Sequence, residues 1–189
     1  MILENKKISS NIQLYHYSLV DPQEICEQYI KWLNDTEIAK LIALPNQQIK
    51  DKNFILESFQ RFTQKNCIGF FIKDLTHNLF IGTCKIDKID LINKSCEIGI
   101  MIGEKQFYGK GISKIVFAII LDYVFNILNL HRIWGGCLSI NIPMNKTFKS
   151  LGFRNEGIFK DAILINDKYF DNCLYAILKN EYDILKNKL

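Results

Sequence analysis

Gly109, Lys110 and Gly111 stand directly before a long apolar-periodic run, in the stretch QFYGKGISKIVFAIILDYVF. Two glycines around a lysine, with a hydroxyl following at Ser113, are residue types that suit an anion. The first turn of a helix leaves N–H groups without partners and carries the positive end of the helix dipole. Glycine lets a backbone approach a phosphate without a Cβ in the way, and Lys110 adds charge. From the loop alone two readings are open, a phosphate cradle or a tight strand-to-helix turn. Two familiar phosphate loops are excluded. The pattern G-x-x-x-x-G-K-[ST] fails because Gly103 and Gly109 stand one residue too far apart and Gly111 occupies the Ser/Thr position. The dinucleotide pattern G-x-G-x-x-G fails at its last position, Lys114.

Other reactive residue types are scattered. The six cysteines (26, 67, 84, 96, 137 and 173) come no closer than twelve residues, and the three histidines (16, 77, 131) are isolated from one another. Neither spacing suits a metal site or a redox motif, so no metal is expected. Cysteines within apolar strands behave as small core residues, which points to reduced thiols and the cytoplasm. The net charge of +4 is spread along the chain without a like-charged block, so no nucleic-acid or membrane partner is expected. The N-terminal stretch MILENKKISSNIQ lacks an apolar run of signal-peptide length, and no stretch approaches membrane-span length.

The elements that must position the loop can be read along the chain. At 189 residues, 48% hydrophobic and 23% charged, with no repeat or linker-like stretch, the chain reads as a single domain over 1–189. IQLYHYS is a first strand. Asp21 as N-cap with Pro22 behind it starts a helix. KDKNFILESFQRFTQK puts Ile55, Phe59 and Phe62 on one helical face. IGFFIKD and LFIGTCKIDKID pair around a polar turn. KSCEIGIMIG follows as a strand, with Cys96, Ile98 and Ile100 on one face and Glu97, Gly99 and Met101 on the other. After the glycine loop, Ile112, Ile115, Val116, Ile119, Ile120, Tyr123, Val124 and Ile127 form one helical stripe. HRIWGGCLSI is a strand and PMNKTFKSLGF a short helix ending at Gly152. GIFKDAILIND and KYFDNCLYAILK close the chain as a hairpin about Asn166-Asp167. Strands on both sides of a central helix give an α+β fold, three-layered α/β/α-like, with a twisted mixed sheet of about seven strands.

The stretch CEIGIMIGEKQFYGKGISKIVFAIILDYVFNILNLHRIWGGCLSINIPMNKTFKSLGFRNEG resembles the core of the GNAT superfamily of acetyl-CoA-dependent N-acetyltransferases, within it the RimJ/RimL-like branch. YIKWLNDTEIAKLI in the N-terminal third also looks like that branch. The family's Q/R-x-x-G-x-G/A pattern can be laid on Gln106, Gly109 and Gly111. An aromatic before GKG, as in this branch, puts Tyr108 first, Gly111 fourth and Ser113 last, and this placing is preferred. The resemblance implies that backbone N–H groups across Gly109, Lys110, Gly111, Ile112 and Ser113 face the pyrophosphate of coenzyme A. It implies that the strand before the loop splays from its neighbour, and that Met101, Ile102 and Gly103 hold the pantetheine arm. Asn141 matches an Asn that contacts that arm, and a helix N-cap before Pro143 is compatible with that role.

Acetyl transfer to an amine needs a neutral amine, a polarised thioester carbonyl and a proton for the departing thiolate. By resemblance, the family's Tyr acid falls on Phe148 and a strand Glu used by other members falls on Gly136, so both are missing. Glu97, on the splayed strand, is the remaining base, acting directly or through water; its other reading is a salt-bridged strand carboxylate. Ser150 and His131 read as surface and structural residues, and Tyr169 and Asp171 as candidates near acceptor entry. An α-amine or an aminosugar amine is closer to neutral at pH 7 than lysine and suits a site without those groups. The implied function is acetyl transfer from acetyl-CoA, without metal, to a primary amine acceptor by a monomer or homodimer. A ribosomal-protein N-terminus, a nucleotide-linked aminosugar, an aminoglycoside or a polyamine are the open acceptors. A non-catalytic CoA-binding module and a plain globular domain are the rivals of another class.

Overall fold

Three aspartates open the helices of the N-terminal third. Asp21, Asp35 and Asp51 each accept a hydrogen bond from a first-turn N–H group, the N-cap arrangement that satisfies orphan donors. They start α1 (Pro22–Asn34), α2 (Thr36–Leu41) and α3 (Lys52–Arg61). The computed structural model describes residues 2–3, 11–43, 51–62 and 64–186. Most of the N-terminal segment read above lies outside the described residues, as do Lys50 and Thr63 at the ends of the second helical stretch.

The seven strands expected are β2 (Ile12–His16), β3 (Ile68–Asp74), β4 (Leu79–Asp90), β5 (Ser95–Ile102), β6 (Arg132–Leu138), β7 (Arg154–Ile165) and β8 (Lys168–Leu178), joined by a short β1 (Ile2–Leu3). They form one mixed sheet in the order β1-β2-β3-β4-β5-β6-β8-β7. Every neighbouring pair is antiparallel except β5 and β6. The β7–β8 turn is the two-residue Asn166-Asp167, both at positive φ, as a type I′ hairpin requires.

Alternation along the strands divides the core into two layers. Phe70 and Ile72 turn to one face, where α4 (Ile112–Asp122) and α5 (Ile142–Ser150) supply Val116, Phe117, Ile120 and Phe148. Phe71 turns to the other, against Ile25, Tyr29, Trp32, Ile55 and Phe59 of α1 and α3. α6 (Lys179–Lys186) follows β8. No helix among the described residues is long and apolar enough to cross a membrane. All six cysteines are buried free thiols.

The stripe on α4 is shorter than its spacing suggests. Ile127 is 69% exposed, because Tyr123–Ile127 winds as a π-helical turn and the Leu128 N–H donates to the Tyr123 carbonyl. The wider turn rotates the later side chains out of the register that period 3.6 assumes.

Candidate active site

The parallel pair at the centre of the sheet separates early. β5 and β6 pair only at Ser95–Arg132, Cys96–Ile133 and Glu97–Trp134. Beyond that, β5 stays with β4 to Ile102 and β6 stays with β8 to Leu138. Gly135 sits at the fork: a Cβ there would stand 2.9 Å from the Ile98 carbonyl oxygen. Between the diverging strands lies a cleft of about 690 Å³ that reaches both faces of the sheet. Ile112, Phe117, Met144 and Phe148 line it on the α4–α5 face. Tyr17, Tyr29 and Met101, from the opposite core layer, line it on the α1–α3 face.

On the α4 face the glycine loop ends in the helix N-terminus. Gly109 and Gly111 both have φ +74°, the left-handed region, and a Cβ on either would meet nothing within 4 Å. The dihedral requires glycine here, while the space beside it stays open. The N–H groups of Gly109, Gly111, Ile112 and Ser113 make no hydrogen bond among the described residues, whereas those of Lys114 and Ile115 donate to the Gly111 carbonyl. This arrangement fits a diphosphate: unpaired donors at the positive end of an eleven-residue helix, beside open space.

The loop is moored from several sides. The Tyr108 hydroxyl donates to the Ile102 carbonyl at 3.1 Å, and partial burial raises its pKa. The Gln28 amide and the Trp32 indole N–H donate to Glu104 Oε1 at 2.7 and 3.0 Å. Lys105 Nζ lies 2.8 Å from Asp35 and 2.6 Å from Glu37. These hydrogen-bonded carboxylates raise the Lys105 pKa, and Lys105 in turn lowers that of Asp35. Glu104, Lys105, Asp35 and Glu37 carried no sequence signal, because each pairs with a residue far away in the chain.

Across the sheet the groups are side chains. Tyr17, Tyr29 and Thr83 are buried on this face, and burial raises both tyrosine pKa values. Glu97 is the carboxylate among the described residues lining the cleft. Its Oε2 lies 2.7 Å from Lys88 Nζ, which also sits 4.9 Å from the Trp134 ring centre. Lys85 lines the same face and pairs with Asp87 at 2.6 Å.

Residues 18–154 match the family model described as an acetyltransferase (GNAT) domain. The chain belongs to the GNAT family. It is an acetyl-CoA-dependent N-acetyltransferase. An uncharacterized N-acetyltransferase, p20, of Bacillus licheniformis is 27% identical over 178 residues, covering 92% of this chain and 96% of the relative. The spermidine N(1)-acetyltransferase of Vibrio cholerae is 33% identical over 113 residues, 60% of this chain and 64% of that one. The crystal structure of spermidine N-acetyltransferase from Vibrio cholerae, in complex with CoA and spermine, superposes with TM-score 0.80 at 22% identity. It covers 91% of this chain and 98% of that one, and the likeness carries the fold.

Within the GNAT frame, Glu97, Met101, Ile102, Tyr108, Gly109, Gly111, Ile112, Ser113 and Asn141 line the cleft, and Gly103 and Lys110 do not. The Gly103 N–H donates to Ile81 of β4 at 2.9 Å, and the Trp32 ring occupies the place of its side chain. Lys110 is exposed, its Nζ 5.0 Å from the Phe107 ring centre. Backbone direction alternates along a strand. Gly103, and with it Met101, faces β4, while Ile98, Ile100 and Ile102 turn to the opening. Of the three residues expected along the pantetheine arm, only Ile102 therefore presents its backbone there. The alternation was visible in the sequence; its phase was not.

Asn141 caps α5, its Oδ1 accepting from the Met144 N–H at 3.2 Å, while its Nδ2 donates to the Leu41 carbonyl at 3.4 Å. Phe148 is buried and stacked on Tyr175 at 5.0 Å. Burial pushes the neighbouring Cys137 thiol up to about 12. Ser150 is exposed and donates to the Thr147 carbonyl. His131 is exposed. Tyr169 and Asp171 stand away from the cleft, and Asp171 pairs with Lys160. From the same strand Asn172 and Leu174 line it instead, because Cys173 and Tyr175 take the buried face.

Proposed function

We propose that this enzyme acetylates the α-amino group of a polypeptide, the acceptor class suggested by its likeness to the RimJ/RimL-like branch. The observation that carries the reading is the charge on the α1–α3 side of the cleft. Among the described lining residues there, Glu97 is accompanied by Lys85, and Glu97 is already paired with Lys88. A polyamine brings several ammonium groups and calls for several carboxylates. An α-amine brings one charge, and with a pKa of about 8 it is partly neutral at physiological pH. The walls of Ile42, Phe62, Trp134, Ile163 and Leu174 suit the side chains that follow it.

Acetyl-CoA supplies an acyl group activated as a thioester. The N–H groups of Gly109, Gly111, Ile112 and Ser113 bind its diphosphate, with Lys110 adding charge at the rim and Tyr108 fixing the loop to β5. The backbone of Ile102 and its β5 neighbours Ile98 and Ile100 hold the arm in the fork, and Asn141 sets the start of α5 against it. The amine nitrogen bonds to the thioester carbonyl carbon as Glu97, at the last β5–β6 pair, accepts the amine proton; the C–S bond then breaks and the departing thiolate takes its proton from solvent.

Released thiol, followed with a lysine-free hexapeptide, glucosamine and spermidine as separate acceptors, tests the reading. The expected result is release with the hexapeptide. Faster release with spermidine overturns it in favour of a polyamine acceptor, the reading that the spermidine-acetyltransferase relatives favour. Binding of acetyl-CoA without release on any amine makes the chain a non-catalytic binder.

A further inference from the structure

On the α1–α3 side of the cleft, most polar side chains are buried or already paired. Tyr17, Tyr29 and Thr83 are buried, Lys85 holds Asp87, and Glu97 holds Lys88. The Asn172 amide and the Trp134 indole N–H are neither buried nor paired: neither makes a hydrogen bond among the described residues. No buried side-chain nitrogen or oxygen among those residues lacks a partner, so the Asn172 amide reaches the open space of the cleft. Its position is set by a glycine on the next strand. A Cβ on Gly136 would stand 3.0 Å from Asn172 Nδ2 and 3.4 Å from Oδ1. The amide of β8 thus lies over β6 two residues beyond the last β5–β6 pair, where the fork has opened.

We infer that Asn172 is the residue that orients the acceptor amine, its Oδ1 accepting a hydrogen bond from an amine N–H and its Nδ2 donating to an oxygen next to that amine. In a peptide that oxygen is the first carbonyl. An amide carbonyl accepts a hydrogen bond without taking a proton, so the amine's lone pair stays free to attack while Glu97 removes the proton. The group is neutral, which leaves the charge balance of this side unfavourable to a second ammonium. The role rests on the proposed α-amine acceptor for its oxygen contact alone; the N–H contact applies to any primary amine.

Asn172→Leu keeps the size and removes both hydrogen bonds. The expected result is a KM for the hexapeptide raised about 10–100-fold, the cost of losing a hydrogen bond to a charged or reacting group. The KM for acetyl-CoA and the melting temperature should stay near wild type. Gly136→Ala pushes the amide aside without touching Asn172 and should raise the same KM several-fold. Asn172→Asp introduces a carboxylate and should shift preference from the hexapeptide toward spermidine. The variants are also assayed with spermidine and glucosamine, so a wrong acceptor class leaves the N–H contact readable. An acceptor KM within twofold of wild type for Asn172→Leu, on whichever of these amines the wild type uses, overturns the proposal. So does a parallel rise in the KM for acetyl-CoA, which would mark a structural defect.

Discussion

On the α4 side of the sheet the groups facing the cleft are backbone N–H groups, presented by Gly109 and Gly111 at φ +74° and by the first turn of α4. On the α1–α3 side they are side chains from β4, β5, β6, β8 and α1, held by partners such as Lys88 and Asp87. A backbone cradle depends on a few adjacent residues and tolerates change around it. A side-chain pocket is assembled across the whole chain, and each wall can change separately. This is the expected division where one ligand is fixed and the other varies. Substitutions on the two sides should separate cleanly into cofactor effects and acceptor effects.

The largest separation should come from Glu97→Gln. It keeps size and hydrogen bonding but cannot take a proton, so kcat should fall by about 10²–10⁴, the span of general base catalysis, with acetyl-CoA affinity unchanged. The loss should shrink at high pH, where the amine is already neutral. Matching pH–rate profiles of equal height would remove Glu97 from proton transfer and leave it as the partner of Lys88.

Gly111→Val should do the reverse. A Cβ there has room, but a branched residue is strained at this φ, so the loop should move and the affinity for acetyl-CoA drop by about 10–100-fold, the worth of lost charge-assisted hydrogen bonds. Acetyl-CoA at a hundredfold excess over Kd should stabilise the wild type by about 2.7 kcal/mol and the variant by much less at the same concentration. Lys110→Ala should cost less than Gly111→Val, since its charge is exposed to solvent. Equal thermal shifts for wild type and Gly111→Val would reduce the loop to a turn.

A smaller effect concerns alkaline pH. Burial raises the Cys96 thiol from 9.0 to about 12 and raises Tyr17 and Tyr29 above 10.0. These groups hold their protons in the folded state after the unfolded chain has released them. Their contribution is fully present below the unfolded values and is lost as pH rises through the folded ones. Urea midpoints should therefore fall from about pH 9 upward. Tyr29→Phe should flatten the part of the fall above about pH 10. A midpoint constant from pH 8 to 10.5 would contradict this assignment.

The cofactor side was the more legible because its signals are local. Gly109, Gly111 and the run from Ile112 are neighbours in sequence, and the hairpin turn is two residues at positive φ. Strand alternation is legible but its phase is not: Met101 lines the cleft with its side chain, while the Gly103 N–H bonds to Ile81. On the acceptor side the hairpin carrying Tyr169 and Asp171 is legible, but the residues of its second strand that line the cleft are Asn172 and Leu174. The alternation of Cys173, Tyr175 and Ile177 into the core contained that signal. The Tyr17–Tyr29–Thr83 group has none, because contacts between distant segments are set by the fold, while the salt-bridged reading of Glu97 is met by Lys88 across the β4–β5 hairpin. The π-helical turn that exposes Ile127 was likewise invisible to a fixed period.

In the proposed function the split sheet takes acetyl-CoA on the α4 side and a singly charged α-amine on the other. Competition between equimolar lysine-free hexapeptide and spermidine for limiting radiolabelled acetyl-CoA tests it in one reaction, since the label divides by the ratio of kcat/KM. The peptide should carry at least about tenfold more label, the preference expected when a second ammonium costs on the order of 1.4 kcal/mol. Label going mainly to spermidine would contradict it.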